Sequence, residues 1–125
     1  MADTPINRDV TLLASDARTA SINTEDQENY EGRGVHVTID VTIDPAAASV
    51  VPTIQGRDPA SGAYYDLLVG LALDAVAQRE LVVHPDLPAV GNLVAQDALP
   101  FIWRVRLVAA DGASLTYSVG ATVLL

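Results

Sequence analysis

Two histidines, His36 and His84, sixteen carboxylates and a few turn serines are the side chains of this 125-residue sequence that could carry chemistry. A zinc centre or an acid–base pair needs a second ligand or partner at close spacing, and each histidine stands alone in sequence. His36 falls between Val35 and Val37, in line with Thr38 and Asp40, which reads as an exposed strand histidine. Asp40, Asp44 and Asp58 together would make a calcium cluster, but no Asp-rich loop of calcium-binding spacing joins them. Ser61 lies in "PASGAY", without the Gly-x-Ser-x-Gly setting or the base that a nucleophile requires, and reads as a turn residue. Neither "GRG" nor "GAYYDLLVG" is followed by the Lys and Ser/Thr of a phosphate loop. There is no cysteine, hence no thiolate chemistry and no disulfide framework. The expectation is a non-enzyme with no catalytic residues, no metal ligands and no cofactor.

The remaining candidates are contact residues. Tyr64, Tyr65 and Trp103 could stack on a sugar ring. Trp103 falls on the apolar face of its strand, however, and reads as core, while Tyr64 and Tyr65 point to opposite faces. Arg104 and Arg106 share the outer face of one strand. In an acidic chain such a pair is either a local salt-bridge partner or a docking contact, and the sequence leaves both open.

The elements that position these residues are strands. In "GVHVTIDVTID" Val35, Val37, Ile39, Val41 and Ile43 alternate with His36, Thr38, Asp40, Thr42 and Asp44, a period that a helix cannot produce. Val50, Pro52 and Ile54 line one face of the next strand. Pro52 cannot donate to a ladder and is expected at an edge or a bulge. "GRDPASG" then reads as a hairpin turn, with Asp-Pro setting the bend and Ser-Gly closing it. In "AYYDLLVGLAL" the alternation puts Tyr65, Leu67, Val69, Leu71 and Leu73 on one side. A helix from Leu67 to Ala77 competes, but Gly70 and the tyrosines favour a strand. "RELVVHP" is a short strand ending at Pro85, "DLPAVGN" a loop, and "LVAQDALP" a segment with room for one helical turn. "FIWRVRLV", the Asp-Gly turn in "AADGAS" and "LTYSVGATVLL" form a hairpin. Weaker strands lie around Leu12–Leu13 and Thr19–Ile22.

Several short strands with regular turns predict an all-β fold, an antiparallel β-sandwich of jelly-roll type. One domain is expected, with residues 1–22 as an N-terminal arm and first weak strand and 23–125 as the sandwich. Its core is predicted on Val37, Ile39, Val41, Ile54, Leu67, Trp103, Val105, Tyr117 and Val119. Hydrophobic residues make up 50% and aromatics only 5% of the chain, so aliphatic side chains must fill most of the interior. The formal charge of -9 disfavours nucleic acid and anionic membrane, whose binding depends on basic residues releasing counterions. No stretch approaches eighteen apolar residues, so no membrane span is expected. "MADTPINRDV" has no apolar run behind a basic start, so no signal peptide is expected either.

From Gly32 to the end, about three quarters of the sequence, the motifs resemble a family of small structural proteins of tailed bacteriophages. They are "GRGVHV", "TIQGRDPASGAYYDLL", "VHPDL", "LPFIWRV" and "TYSVGA", in that order. Asp86 stands where the family often has Gly, and Pro52 where an aromatic is common. The resemblance implies a virion structural protein, most like a head decoration protein on the outer capsid surface. Its partners would be the major capsid protein and further copies of itself, with a trimer expected. An arm that adds a strand to a partner's sheet edge would make the contacts, through Asp3, Thr4, Ile6, Val10, Leu12 and Leu13, with Arg104 and Arg106 beside them. A tail-tube or connector component is the alternative within the class, and a carbohydrate-binding module on the virion surface is the alternative from another class.

Overall fold

The alternation in Val35–Ile43 becomes β4 (Gly34–Ile43), whose inward residues Val35, Val37, Ile39 and Val41 are fully buried. A computed structural model describes residues 7–125. Around β4 it arranges β1 (Arg8–Arg18), β2 (Ile22–Asn23), β3 (Gln27–Glu28), β5 (Val50–Arg57) and β6 (Tyr64–Val69). The chain continues through β7 (Ala77–Val83), β8 (Val94–Ala95), β9 (Ile102–Ala109) and β10 (Leu115–Leu124). None of these residues is helical.

Two sheets form, in the orders β1-β10-β4-β7-β8 and β2-β9-β5-β6, with β3 also on β9. The pairing is nested: β1 with β10, β2 and β3 with β9, β4 with β7, β5 with β6, all antiparallel. A long ribbon folded over on itself in this way is a jelly roll, which bears out the all-β sandwich. Each sheet contributes one apolar face. Trp103, Val105 and Leu107 from β9 and Ile54 from β5 meet Val37, Ile39, Leu81, Tyr117 and Val119 of the other sheet in one core. The inner side chains of β10 follow its period-2 pattern without a break.

Four local expectations are corrected. Leu67 is only half-buried and its neighbour Leu68 is the core residue. Ile54 pairs with Leu68 but Gln55 with Asp66, so Leu67 is the extra residue of a bulge and the inside–outside parity flips there. Leu71 is exposed for the same reason, after the strand has ended at Val69, whereas Leu73 returns to the core through a bridge to Val50. Pro52 lies in β5, an internal strand rather than an edge. It is tolerated because its carbonyl accepts from Gly70, one residue beyond the end of β6, where no regular ladder needs its missing N–H. "LVAQDALP" forms no helical turn; Val94–Ala95 pair in parallel with Val82–Val83 instead.

The fourth concerns the expected arm. Residues 1–6 lie outside the described residues. From Arg8 to Arg18 the chain is β1, hydrogen-bonded to β10 of the same molecule, so this strand belongs to the sandwich and residue 22 marks no boundary. Two register shifts, between Thr11 and Leu13 and between Leu13 and Asp16, bend this edge strand.

Candidate functional site

The outer face of the β9–β5–β6 sheet gathers the polar side chains that the sequence scattered. Register dictates the rows. Arg106 stands between Asn23 and Thr53, and Thr53 opposes Val69. Arg104 opposes Gln55, which opposes Asp66. Arg57 opposes Tyr64 at the hairpin end.

Within the second row the side chains are locked. Arg104 Nε donates to Gln55 Oε1 at 2.9 Å, and Gln55 Nε2 donates to Asp66 Oδ1 at 2.9 Å. The Arg104 guanidinium stacks on the Tyr64 ring, its Cζ 3.4 Å from the ring centre, a cation–π contact. The Tyr64 hydroxyl donates to both Asp26 oxygens, at 2.8 and 2.7 Å. That bond is the main cause holding its pKa above the ordinary tyrosine value, with Arg104 and Arg57 opposing it. Arg57 Nη1 completes the group 3.8 Å from Asp26. Gln55 is 5% exposed although it sits on the outer side of its strand. Of the two readings open for the arginine pair, Arg104 satisfies neither simply. Its local partners are an amide and an aromatic ring, and among the described residues only its Nε finds an acceptor. Arg106 is exposed and has no carboxylate within 4 Å among the described residues.

Sequence reasoning missed Gln55, Asp66 and Asp26 as parts of this group. The available signal was the hairpin register, which sets Gln55 beside Asp66 once the turn is known; Asp26 approaches from the β2–β3 loop and left no local trace.

The β5–β6 turn explains the "GRDPASG" block. Asp58 accepts from Ala60 N at 3.0 Å and from Ser61 Oγ at 2.9 Å, and these two bonds, the first the larger cause, hold its carboxyl below the usual carboxylate range. Ser61 Oγ in turn accepts from Ala63 N at 3.1 Å. Gly62 has φ of 76°, the left-handed region that glycine enters at no steric cost. A Cβ on Gly56 would lie 2.7 Å from Pro100 Cγ and from the Tyr65 ring. This glycine lets the hairpin close on the segment before β9. Thus Ser61 serves a turn, and "TIQGRDPASGAYYDLL" and "LPFIWRV" pack on one another.

The other candidates disperse. His36 lies half-exposed on the opposite sheet, its Nε2 3.7 Å from Glu80 Oε2. It lines a shallow groove of about 360 Å³ with Asp9, Thr38 and Thr122, floored by Gly120. His84 is buried, accepting from Asp86 N at Nδ1 (3.1 Å), which leaves Nε2 to donate to Leu125 O at 3.3 Å. Asp44 Oδ1 accepts from Ala48 N in its own turn, apart from Asp58. Among the described residues no three His, Asp or Glu side chains gather to hold a metal ion. Val10, Leu12 and Leu13 are half-buried against the core of their own sandwich. Asp3, Thr4 and Ile6 lie outside the described residues. At the hairpin end Tyr30, Tyr65 and Phe101 are 75%, 44% and 52% exposed. Tyr30 and Phe101 meet edge to face at 80°, so they do not form one flat stacking platform. Tyr117 is buried.

The chain matches no family model and no curated protein.

Proposed function

We propose that this chain is a non-enzymatic structural protein of a bacteriophage virion, bound in many copies to the outer capsid surface as a decoration protein that stabilises the shell. The observation that carries the reading is the convergence of the resembling segments. The Thr53–Leu68 block and the Leu99–Val105 segment, far apart in sequence, build one outer sheet face and one hairpin. Their polar residues brace that face rather than forming a nucleophile with its base. Charge agrees: at -9 the protein suits a layer facing solvent, not one facing packaged phosphates. Short turns, such as the one from Asp58 to Ala63, favour this over a tail-tube component with long channel-lining hairpins. The edge-to-face aromatics weigh against a carbohydrate module, for which a sugar ring needs a flat platform.

The test is the copy number in purified virions by quantitative mass spectrometry. Hundreds of copies, comparable with the major capsid protein, are expected. Six to twelve would move the chain to the connector or tail.

A further inference from the structure

We propose that the outer face of the β9–β5–β6 sheet is a docking surface for an acidic segment of a partner protein, whose carboxylates are taken by the guanidiniums of Arg104 and Arg106. The inference goes beyond the virion reading, because it specifies the partner's chemistry whatever particle carries it.

Three observations combine. First, Arg104 is set in place before any partner arrives. Gln55 holds its Nε, Tyr64 lies under its plane, and Asp66 and Asp26 hold those two in turn. Its terminal Nη donors meet no acceptor among the described residues, so a rigid fork faces outward. Such a fork matches the two oxygens of a carboxylate. Ordering the side chain in advance removes part of the entropy cost of binding. Second, Arg106 lies two residues further along the same face, about 7 Å away at strand spacing, exposed and with no ion-pair partner among the described residues. Around them three guanidiniums, those of Arg57, Arg104 and Arg106, stand with two carboxylates, Asp26 and Asp66. The whole chain, by contrast, has sixteen carboxylates against seven arginines. This is where an acidic partner is not repelled. Third, the margin is apolar. Val51 and Val108 pair in the row beyond Arg106, and Val69, 40% exposed, lies across Thr53. A polypeptide can cover that margin, whereas a small anion cannot.

The island is short, which selects against a nucleic-acid backbone. A nucleic-acid backbone carries one charge per about 1.7 Å of duplex axis. It would run from the arginine pair straight onto Asp66 and Asp26. Two side-chain carboxylates need only the island itself.

The probe is fluorescein-labelled hexaglutamate added to the full-length protein at low ionic strength, followed by anisotropy and by the amide and arginine Nε–Hε NMR signals. Hexaglutamine and a dT12 oligonucleotide are the comparison ligands. Arg106→Gln removes a side chain with no described hydrogen bond, so the fold is retained. Arg33→Gln removes an equal charge at the Arg33–Asp86 pair elsewhere on the surface. Hexaglutamate should shift Arg104, Arg106 and Thr53 and bind about fivefold more weakly to Arg106→Gln, in the range of an exposed ion pair. Arg33→Gln should bind as the parent does, and added salt should weaken the complex. Absence of hexaglutamate binding, equal loss in both variants, equal binding of hexaglutamine, or binding of dT12 as tight as hexaglutamate would each overturn the proposal.

Discussion

Arg18 closes the gap that a bulge opens between β1 and β10 by reaching Tyr117. Its Nη1 donates to the Tyr117 carbonyl at 2.6 Å and its Cζ stands 4.8 Å from the centre of the Tyr117 ring. The same guanidinium donates to Asp16 O at 3.2 Å and to Ala14 O at 2.6 Å, within β1. The ladder breaks between Leu13 and Asp16, and backbone carbonyls left there need donors. One planar side chain supplies three. The bulge also bends an edge strand that would otherwise invite unwanted pairing.

Arg18→Ala should therefore destabilise the fold by about 1–2 kcal/mol, since the bonds are charge-assisted but partly solvated. Arg18→Lys should recover only part of this, because an ammonium cannot span the three carbonyls as a planar fork does. Urea unfolding followed by circular dichroism checks both. Equal stability of Arg18→Ala and the parent would mean that water serves the carbonyls as well.

Burial is the main cause holding the Tyr117 hydroxyl above the ordinary tyrosine pKa, and the Arg18 charge opposes it. The folded value exceeds the unfolded one. The stability contributed by the neutral ring is thus complete below about pH 10, the unfolded value. It is lost as pH rises through the folded value. Stability should fall on the alkaline side, with Tyr117, raised by burial, contributing beside Tyr30 and Tyr64, which their bonds to carboxylates raise. Ultraviolet titration of the parent and of Tyr117→Phe, run beside thermal melts, checks this. An unchanged alkaline limit in Tyr117→Phe would remove Tyr117 from the cause.

Trp103 is fully buried, and its Nε1 has no hydrogen-bond partner among the described residues. Trp103→Ala should cost about 3–5 kcal/mol, the usual loss for a large buried aromatic. Trp103→Phe should cost much less, about 1 kcal/mol, because it also removes an unsatisfied donor. Chemical denaturation of the two variants separates the effects, and resistance of the Trp103 emission to acrylamide reports the burial directly. A Phe variant as damaged as the Ala variant would mean that Nε1 has a partner.

Much of this was legible in the alternation. Val35 to Val41, Trp103 to Leu107 and Leu115 to Val123 place their apolar residues inward as their period requires. Leu67 escapes the alternation because a bulge adds a residue without changing local composition; parity before and after it can be read, but not the flip. Thr53 and Gln55 look solvent-facing by the same alternation and are 6% and 5% exposed. Their neighbours in the rows, Arg106, Arg104 and Asp66, come from other strands. The group around Arg104 was invisible for that reason: it depends on cross-strand register, not on spacing along the chain. Arg18 shows the same limit, since its partner Tyr117 lies 99 residues away.

The arm expectation now divides into two truncations with opposite outcomes. Removing residues 1–6 leaves β1 and its pairing with β10 in place, so the sandwich should still fold. Removing residues 1–18 strips β1 from β10, takes Val10, Leu12 and Leu13 off the core, and exposes a ten-residue strand, Leu115–Leu124, as a new edge. Losing even about 2 kcal/mol lowers the melting point of a domain this size by roughly 5–15 °C, and the bare edge promotes aggregation. Melting curves and light scattering distinguish the pair; a soluble, equally stable second truncation would mean that β1 is dispensable. The first truncation then serves as a clean probe of binding. If it folds normally yet no longer stays on purified particles, Asp3, Thr4 and Ile6 supply contacts. If it stays bound, those residues are not the contact, and the outer face bearing Arg104 and Arg106 becomes the surface to mutate.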